Sequence, residues 1–203
     1  MVFTVIAILA ALVLSVLNRT HATSQAIICR NNLRQWGMAT HIFAADNGDL
    51  LPTDGSFSGS SINTGWYIDL PRVLNLPTYH EMRWRTNADI DPGHCIWICP
   101  ANPRRSNGFE LFHYCLNKNV NGDGTDNQIQ LANIRRPALT VWLFDNGGVA
   151  AVAQWNNVHS NLHNHGAQFV FLDGHVARFR NTEYWDFAHG CGITNNPDLV
   201  WIP

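Results

Sequence analysis

The hydrophobic pattern at the start of the chain predicts one very long helix. The first seventeen residues, Met1 to Leu17, contain no charged residue, no proline and no glycine. The polar segment that follows keeps a helical pattern to Ala45. At 1.5 Å per residue, a helix of this length reaches about 65–70 Å, which exceeds the width of a domain built from the remaining residues. Part of the helix is therefore expected to project from that domain.

Between Thr20 and Ala45 the pattern predicts an amphipathic helix. Gly37 is the only glycine before Gly48; it costs about 1 kcal/mol relative to alanine inside a helix, and we expect it to permit close packing. The segment Asp46–Asp49 supplies the helix stop, because Gly48 suits a left-handed cap and Pro52 blocks continuation. The face predicted to pack on a head domain recurs in steps of four and three: Ala22, Ala26, Cys29, Leu33, Trp36, Thr40 and Phe43.

The remaining residues predict a loop-rich head with a small sheet. Residues 56–65 form a loop rich in serine and glycine, and residues 66–76 contain a short helix. Strands are predicted at Ile96–Ile98, at Thr140–Phe144, and at Gln168–Leu172 with His175–Phe179, where Asp173-Gly174 signals a two-residue hairpin. The predicted fold is α+β: a helix of about 45 residues packed by its C-terminal half on a small antiparallel sheet with long loops. The predicted organisation is an apolar helix half (1–20), an amphipathic half on the head (21–50), and the globular head with its C-terminal hairpin (51–203).

The apolar helix end has three interpretations. A cleaved signal peptide normally begins with a positive segment, which is lacking here. A membrane span needs about twenty apolar residues, so seventeen is at the short limit. In an oligomer core, apolar ends from several subunits shield one another, and this is compatible with an earlier stage in a membrane. The predicted assembly interface is Val5, Ile6, Ile8, Leu9, Leu12, Val13, Val16 and Leu17.

Composition limits the remaining possibilities. The net charge is −2, charged residues make up 14 %, and no basic run indicates nucleic-acid binding. The five cysteines include no Cys-x-x-Cys motif. Cys95 and Cys99 could supply two zinc ligands, but no second close pair completes a zinc site. An exported head could instead form one or two disulfides, whose pairing the spacing leaves open.

One loop has the composition of a calcium site. Asn119, Asn121, Asp123 and Thr125 place oxygen ligands at every second position, with Gly124 at the sixth position for the sharp turn. Asparagine at the first two positions and Gln130 at the twelfth leave little ligand charge, so calcium binding is expected to be weak. A tight surface turn is the alternative, because asparagine, aspartate and glycine favour turns.

The histidines and tryptophans offer two further candidate sites. His159, His163, His165 and His175 lie close in sequence, which would suit a metal-dependent hydrolase. Alternation along strands would separate them onto different faces, and His163 is better interpreted as bonded to backbone or to Asp173 near the hairpin. The scattered tryptophans could form a sugar-binding surface, but packing is the stronger interpretation. These residues are Trp66, Trp84, Trp97, Trp142, Trp155, Trp185 and Trp201.

Several segments together resemble one bacterial family. His163 is followed after nine residues by Asp173-Gly174, residues 5–12 resemble a pilin membrane helix, and residues 29–35 resemble its middle segment. Residues 134–137, leading to Phe144-Asp145, resemble the approach to a core strand. Because these segments occur in the same order as in that family, the chain resembles type IV pilins and type II secretion pseudopilins. The resemblance is specifically to the prepilin-type proteins that have a His followed after nine residues by Asp-Gly. The resemblance implies a structural role for His163, Asp173 and Gly174.

The resemblance implies self-assembly rather than catalysis. Such subunits wait in the inner membrane and are built by pilus or type II secretion machinery into a helical homopolymer with the helices as its core. It also implies a basic leader and a glutamate near the mature start, whereas this chain has no acidic residue before Asp46. Either Met1 lies inside the mature helix, or Phe3-Thr4 is the true start and the glutamate is missing.

The sequence therefore predicts a structural subunit of an extracellular bacterial filament, with no catalytic residues and no required cofactor apart from possible calcium. One alternative is a monomeric, membrane-anchored module that binds a ligand through its tryptophan-rich head. Another is a secreted metal-dependent enzyme that uses the His159–His175 cluster.

Overall fold

A computed structural model of the chain describes residues 2–122 and 127–203, although the side chains of residues 2–16 and 18 are not part of that description. The fold is α+β, with one long N-terminal helix packed on a mixed five-stranded sheet. Helix α1 spans Val2–Asp46, α2 spans Trp66–Val73 and α3 spans Asn181–Tyr184. The strands are β1 (Tyr114–Asn117), β2 (Val141–Asp145), β3 (Val152–Ala153), β4 (Gly166–Phe171), β5 (Val176–Arg180), β6 (Trp185–Asp186) and β7 (Cys191–Gly192). Short 3₁₀ turns lie at Tyr79–Glu81, Arg83–Arg85, Leu131–Asn133 and Trp155–Asn157.

The large sheet has the strand order β3-β1-β2-β4-β5, and β6 pairs with β7 in a separate ribbon. Three neighbouring pairs in the large sheet are antiparallel, whereas β3 runs parallel to β1. The prediction of an antiparallel sheet is therefore wrong at this edge. Strand β3 has only two residues and directly follows the loop after β2, so sequence periodicity gives no signal for its direction.

The predicted packing face of α1 is confirmed from its middle onward. Cys29, Leu33, Trp36 and Thr40 are buried against the head, whereas Ala22 is exposed. The helix therefore leaves the head near Gln25, and residues 19–24 are in solvent. The predicted stop is also confirmed: α1 ends at Asp46, Gly48 has φ +66°, and the Asp49 amide donates to the Ala44 carbonyl at 2.8 Å.

Gly37 allows α1 to approach the β4–β5 hairpin closely. A Cβ atom at this position would lie 2.8 Å from Val170 Cγ2 and 3.3 Å from the Gly174 carbonyl oxygen. The predicted role of this glycine in close packing is confirmed, because ordinary carbon contacts are about 3.5–4.0 Å.

Both faces of the sheet are covered. On the α1 side, the indole of Trp36 contacts Trp66 and Trp97 with ring centroids 5.7 and 4.7 Å apart. On the other side, Phe144, Phe169 and Tyr184 pack with the C-terminal Trp201. The predicted interpretation of the tryptophans as packing residues is confirmed for six of the eight, which are buried, and the other two, Trp155 and Trp185, are half-buried.

Two local predictions are wrong. Ile96–Ile98 forms no strand; these residues are buried in a turn-rich loop, so their apolar character reflects burial against α1. The hairpin loop between the paired residues Phe171 and His175 has three residues, 172–174, instead of two. Phe171 and His175 close it through a 3.0 Å bond, and Gly174 takes φ +86°, the left-handed position of a three-residue hairpin loop.

Candidate functional site

A disulfide joins α1 to the head near the point where the helix leaves it. Cys29 is bonded to Cys99, 70 residues further along the chain. Beside it, the Asn32 amide donates to the carbonyl of Ile98 at 2.9 Å and faces that of Cys95 at 3.3 Å. Of the two possibilities left open for the cysteines, a disulfide is confirmed: Cys99 is paired with Cys29 and is not available to a zinc pair with Cys95 in this state of the chain. The Cys95, Cys115 and Cys191 thiols are free.

A buried histidine–aspartate pair lies against this disulfide. His163 Nε2 is 3.0 Å from Asp145 Oδ2, and neither side chain is exposed to solvent. The same nitrogen is 3.5 Å from Cys99 Sγ. The Gln168 backbone N–H also donates to Asp145 Oδ2 at 2.8 Å. The predicted partners of His163, backbone or Asp173, are therefore wrong, because Asp145 occupies that role.

The backbone around His163 is unusual. His163, Asn164 and His165 all have left-handed φ values, 45°, 59° and 60°, which residues other than glycine rarely adopt. Arg178 holds this turn by donating from Nε to the His163 carbonyl at 2.7 Å and from Nη2 to the Asn164 carbonyl. Leu162 and Gly166 close it with two backbone bonds. These hydrogen bonds hold the turn in its strained conformation.

The pair is poorly arranged for nucleophilic catalysis. In a catalytic triad the two ring nitrogens do different work: one faces the nucleophile and the other is held by the carboxylate. Here Cys99 and Asp145 both approach Nε2, and Cys99 is already bonded to Cys29. His163 Nδ1 and Asp145 Oδ1 are buried without a hydrogen-bond partner among the described residues. Such orphaned buried atoms are costly and call for an explanation.

The remaining histidines of the predicted cluster do not converge. His165 contacts Asn161, and His175 Nδ1 lies 2.6 Å from Asp173 Oδ1 while its ring stacks on Phe171. His159 lies near Asp145, and burial lowers its pKa. His189, also in this part of the chain, pairs with Asp186. Within the described residues, the group close enough to hold a metal is instead Cys29, Cys99 and His163, whose donor atoms lie within 4.8 Å of one another.

Asp173 and Gly174 have local structural roles. The Asp173 carboxylate accepts the His175 backbone N–H at 3.1 Å, which fixes the hairpin loop. A Cβ on Gly174 would lie 3.2 Å from His41 Nε2, so this glycine lets the loop meet α1. His163 lies on a different element, the left-handed turn before β4. The nine residues between His163 and Asp173 therefore include the whole of β4.

A cavity of about 830 Å³ lies between the exposed part of α1 and the left-handed turn. Arg19 and Arg178 contribute positive charge, and His165 and Asn164 are exposed on its wall. None of its lining residues is acidic. The other lining residues are Ala22, Thr23, Gln25, Ala26, Ala101, Asn161, Leu162 and His163.

The solvent face of α1 is unusually apolar. Ile27, Ile28, Met38 and Ile42 are exposed by 54, 36, 48 and 47 %. At 100° per residue, Ile27, Met38 and Ile42 fall within one narrow arc, opposite the buried stripe. The helix therefore carries apolar residues on both faces where it crosses the head, and only one face is covered.

Most of the predicted assembly interface lies outside the described side chains: Val5, Ile6, Ile8, Leu9, Leu12, Val13 and Val16. Leu17 is described and is 57 % exposed. Within the described part of the chain, no helix has both the length and the apolar character that a membrane crossing requires.

The predicted calcium loop is described in part, because Asp123 and Thr125 lie outside the described residues. Asn121 is buried; its amide donates to Pro52 and Asp54, and its oxygen accepts the Ile129 N–H at 3.3 Å. Asn119 Nδ2 donates to Asn117 Oδ1 at 3.0 Å. These contacts stabilise the described half of the loop as a turn, and calcium binding stays a prediction.

Sequence analysis missed Asp145 and the identity of the disulfide partners. A signal for Asp145 was present, because it is the one carboxylate that ends the buried run Val141–Asp145, where a charge needs a partner. The spacing of Cys29 and Cys99 gives no indication that they pair.

Comparisons of the chain with models of known protein families, with curated proteins and with solved structures found no match in any of the three.

Proposed function

We propose that this chain is a pilin-like structural subunit that self-assembles into an extracellular filament through α1. The observation that carries the proposal is the apolar solvent face of α1, formed by Ile27, Ile28, Met38 and Ile42 on a helix that continues for 45 residues. The four residues form two apolar pairs, Ile27 with Ile28 and Met38 with Ile42, separated along the helix by exposed polar residues such as Asn31 and Gln35. Large exposed apolar areas of this kind mark interaction surfaces in soluble domains. A second copy of α1 is the natural occupant, because helices pack along their length with ridges in grooves.

The position of this face fits a filament with its helices inside. The head covers one side of α1 only, and residues 19–24 are exposed. The uncharged sequence before Arg19 continues the same helix, so neighbouring copies could pack along all of it. Such contacts join different surfaces of successive subunits and do not close, which yields a fibre rather than a ring.

Burial supplies the driving force in this proposal. At about 25 cal/mol per Å², a few hundred Å² of apolar surface buried against each neighbour gives several kcal/mol per contact before entropic costs. Because each helix would contact several neighbours, a subunit in the fibre would dissociate slowly. In this proposal the subunit is held in the inner membrane before assembly and requires pilus or type II secretion machinery.

The test is to place charge on the proposed interface without disturbing the head. Met38→Glu combined with Ile42→Glu should prevent filament formation, measured by electron microscopy of material sheared from cells. The matched control is Ile62→Glu, because Ile62 is 69 % exposed but lies in the 56–65 loop away from α1. Filaments of normal number in the double variant would overturn the proposal, as would their loss in the control.

Removing residues 1–17 tests the role of the apolar half of the helix in assembly. The truncated chain should fold, because the contacts of α1 with the head described here begin at Gln25. It should not polymerise, because the apolar face that remains is too small to hold a filament without the uncharged start of the helix. Fibres formed by the truncated chain would exclude an assembly driven by the apolar helix end.

A second candidate function is a membrane-anchored module that binds a ligand. The cavity beside Arg19 and Arg178 favours it, because two cationic side chains without an acidic neighbour in the lining suit an anionic ligand. Electron microscopy distinguishes the two functions: a cell surface that carries this chain but no filament would favour the anchored module.

A further inference from the structure

We propose that Cys29, Cys99 and His163 form a zinc site in the reduced chain, before the disulfide closes. The inference is independent of filament assembly. It rests on three donor atoms that converge within 4.8 Å, and on the 3.5 Å separation of Cys99 Sγ and His163 Nε2.

The donor set and its spacing match zinc. Two thiolates and an imidazole are preferred ligands of this ion, with Zn–S distances of about 2.3 Å and Zn–N distances of about 2.0–2.1 Å in tetrahedral geometry. These bond lengths at a tetrahedral angle place sulfur and nitrogen about 3.5 Å apart. Cys99 Sγ and His163 Nε2 lie 3.5 Å apart.

Three protein ligands leave the fourth position of the tetrahedron to water, as in other zinc sites with three side-chain donors. Asp145 is not one of the donors that lie within 4.8 Å of one another, but it is fully buried at the end of β2 with Oδ2 3.0 Å from His163 Nε2. Together with the left-handed turn, Asp145 positions the imidazole before the ion arrives. The cavity lined by Ala26, Ala101 and His163 gives a route from solvent.

In a newly made chain the cysteines are thiols, so the zinc-binding step needs no reductant. Zinc binding releases the two thiol protons of Cys29 and Cys99. The proton on His163 Nε2 moves to Nδ1, so the imidazole remains neutral while Nε2 binds the ion. A small-molecule or protein disulfide then oxidises the two thiolates by thiol–disulfide exchange: it accepts the two electrons, takes up two protons and leaves as two thiols, so both sulfur ligands are lost and the metal is released. Zinc and the disulfide are thus alternative ways to hold α1 on the head at the same point.

The experiment uses the full-length chain in mild detergent. A phosphine reductant opens the disulfide, taking up oxygen from water to become the phosphine oxide and leaving two thiols. Titration with Co²⁺, a spectroscopic substitute for zinc, should give thiolate-to-cobalt absorption and the intense visible bands of tetrahedral cobalt at one ion per chain. Zinc should then displace the cobalt, and the oxidised chain should show neither signal.

Variants identify the ligands. Cys29→Ser, Cys99→Ser and His163→Ala should each weaken binding by more than about 100-fold, beyond the 10–100-fold typical of outer partners. Cys95→Ser, Cys191→Ser and His165→Ala are the matched controls and should bind within twofold of the parent chain. Loss of binding in Cys95→Ser would overturn the proposal in favour of a Cys95–Cys99 site.

Folding of each reduced variant is checked by near-ultraviolet circular dichroism, because the tryptophan core gives a strong signal there. His163→Cys keeps the site filled with a third thiolate, so it should bind cobalt with stronger sulfur absorption. An absence of stoichiometric cobalt bands in the folded, reduced parent chain would overturn the proposal, as would bands that His163→Ala and His163→Cys leave unchanged.

Discussion

Replacement of Gly37 by alanine sets two known effects against each other. Alanine favours the helix by about 1 kcal/mol relative to glycine. Overpacking a dense core costs about 1–3 kcal/mol. The structure decides between them, because the new Cβ would lie 2.8 Å from Val170 Cγ2, about 1 Å closer than carbon atoms normally pack.

The clash has no easy relief. Val170 is fully buried in β4, and its branched side chain has little freedom at χ1. The next neighbours of the new Cβ are backbone atoms of Gly174. Helix α1 is itself held on either side, by the Cys29–Cys99 disulfide and by a 2.8 Å bond from Trp142 Nε1 to Thr40 Oγ1. We therefore expect Gly37→Ala to destabilise the fold by about 1–2 kcal/mol.

The assay is urea unfolding of the full-length chain in detergent, followed by tryptophan fluorescence. Val170→Ala should cost about 1–2 kcal/mol alone by leaving a cavity, and should make Gly37→Ala neutral or stabilising in the double variant. Asn31→Ala is the control on the exposed side of α1 and should gain a few tenths of a kcal/mol. A gain of about 1 kcal/mol for Gly37→Ala alone, or strict additivity with Val170→Ala, would refute the reasoning.

Three further predictions concern the head. Replacing both Cys29 and Cys99 by serine should lower the free energy of unfolding by about 4 kcal/mol, because the disulfide closes a loop of 70 residues, and Cys191→Ser should leave it unchanged in the same urea titration. Asp145→Ala should cost about 3–5 kcal/mol, because it removes the acceptor of the buried His163 ring and of the Gln168 amide; thermal unfolding of the oxidised chain measures this, and a loss below 1 kcal/mol would contradict the buried pair. Burial lowers the pKa of His113 from 6.5 to about 4, so the unfolded chain binds the proton more tightly. The stability that the neutral ring contributes is complete above pH 6.5 and is lost as the pH falls towards 4, by up to about 3 kcal/mol. His113→Gln should flatten this part of the unfolding profile, and an unchanged slope would refute the assignment.

Much of the helix could be predicted because a single physical rule governs it. The face from Cys29 to Thr40, the stop at Gly48 and the close approach at Gly37 all follow from helical periodicity and from the special geometry of glycine. The hairpin was found for the same kind of reason, since β-branched and aromatic residues flank an Asp-Gly pair. Its loop length was missed because one extra residue changes the turn geometry but barely changes the pattern.

The candidate site could not be predicted because its members are brought together by the fold. Cys29 lies on α1, Cys99 on a loop, His163 on a left-handed turn and Asp145 at the end of β2. Only Asp145 carries a local signal, as a carboxylate at the end of a buried strand; Cys29, Cys99 and the turn at His163 carry none. The histidine-rich segment offered a shared metal site only as an alternative, and its members pair separately, because the turn at His163 and the strands after it point them in different directions. Ile96–Ile98 was misassigned since a short apolar run is equally compatible with a strand and with a buried loop.

The position of the disulfide determines how the head responds to mechanical load. A force pulling on the exposed end of α1 reaches the head first near Gln25, where a 3.1 Å bond to the Pro100 carbonyl can break readily. Four residues further on it meets a covalent bond at Cys29. The helix therefore cannot be peeled off turn by turn past Cys29, and the tension passes through the disulfide into the 95–99 loop, whose Trp97 packs on Trp36.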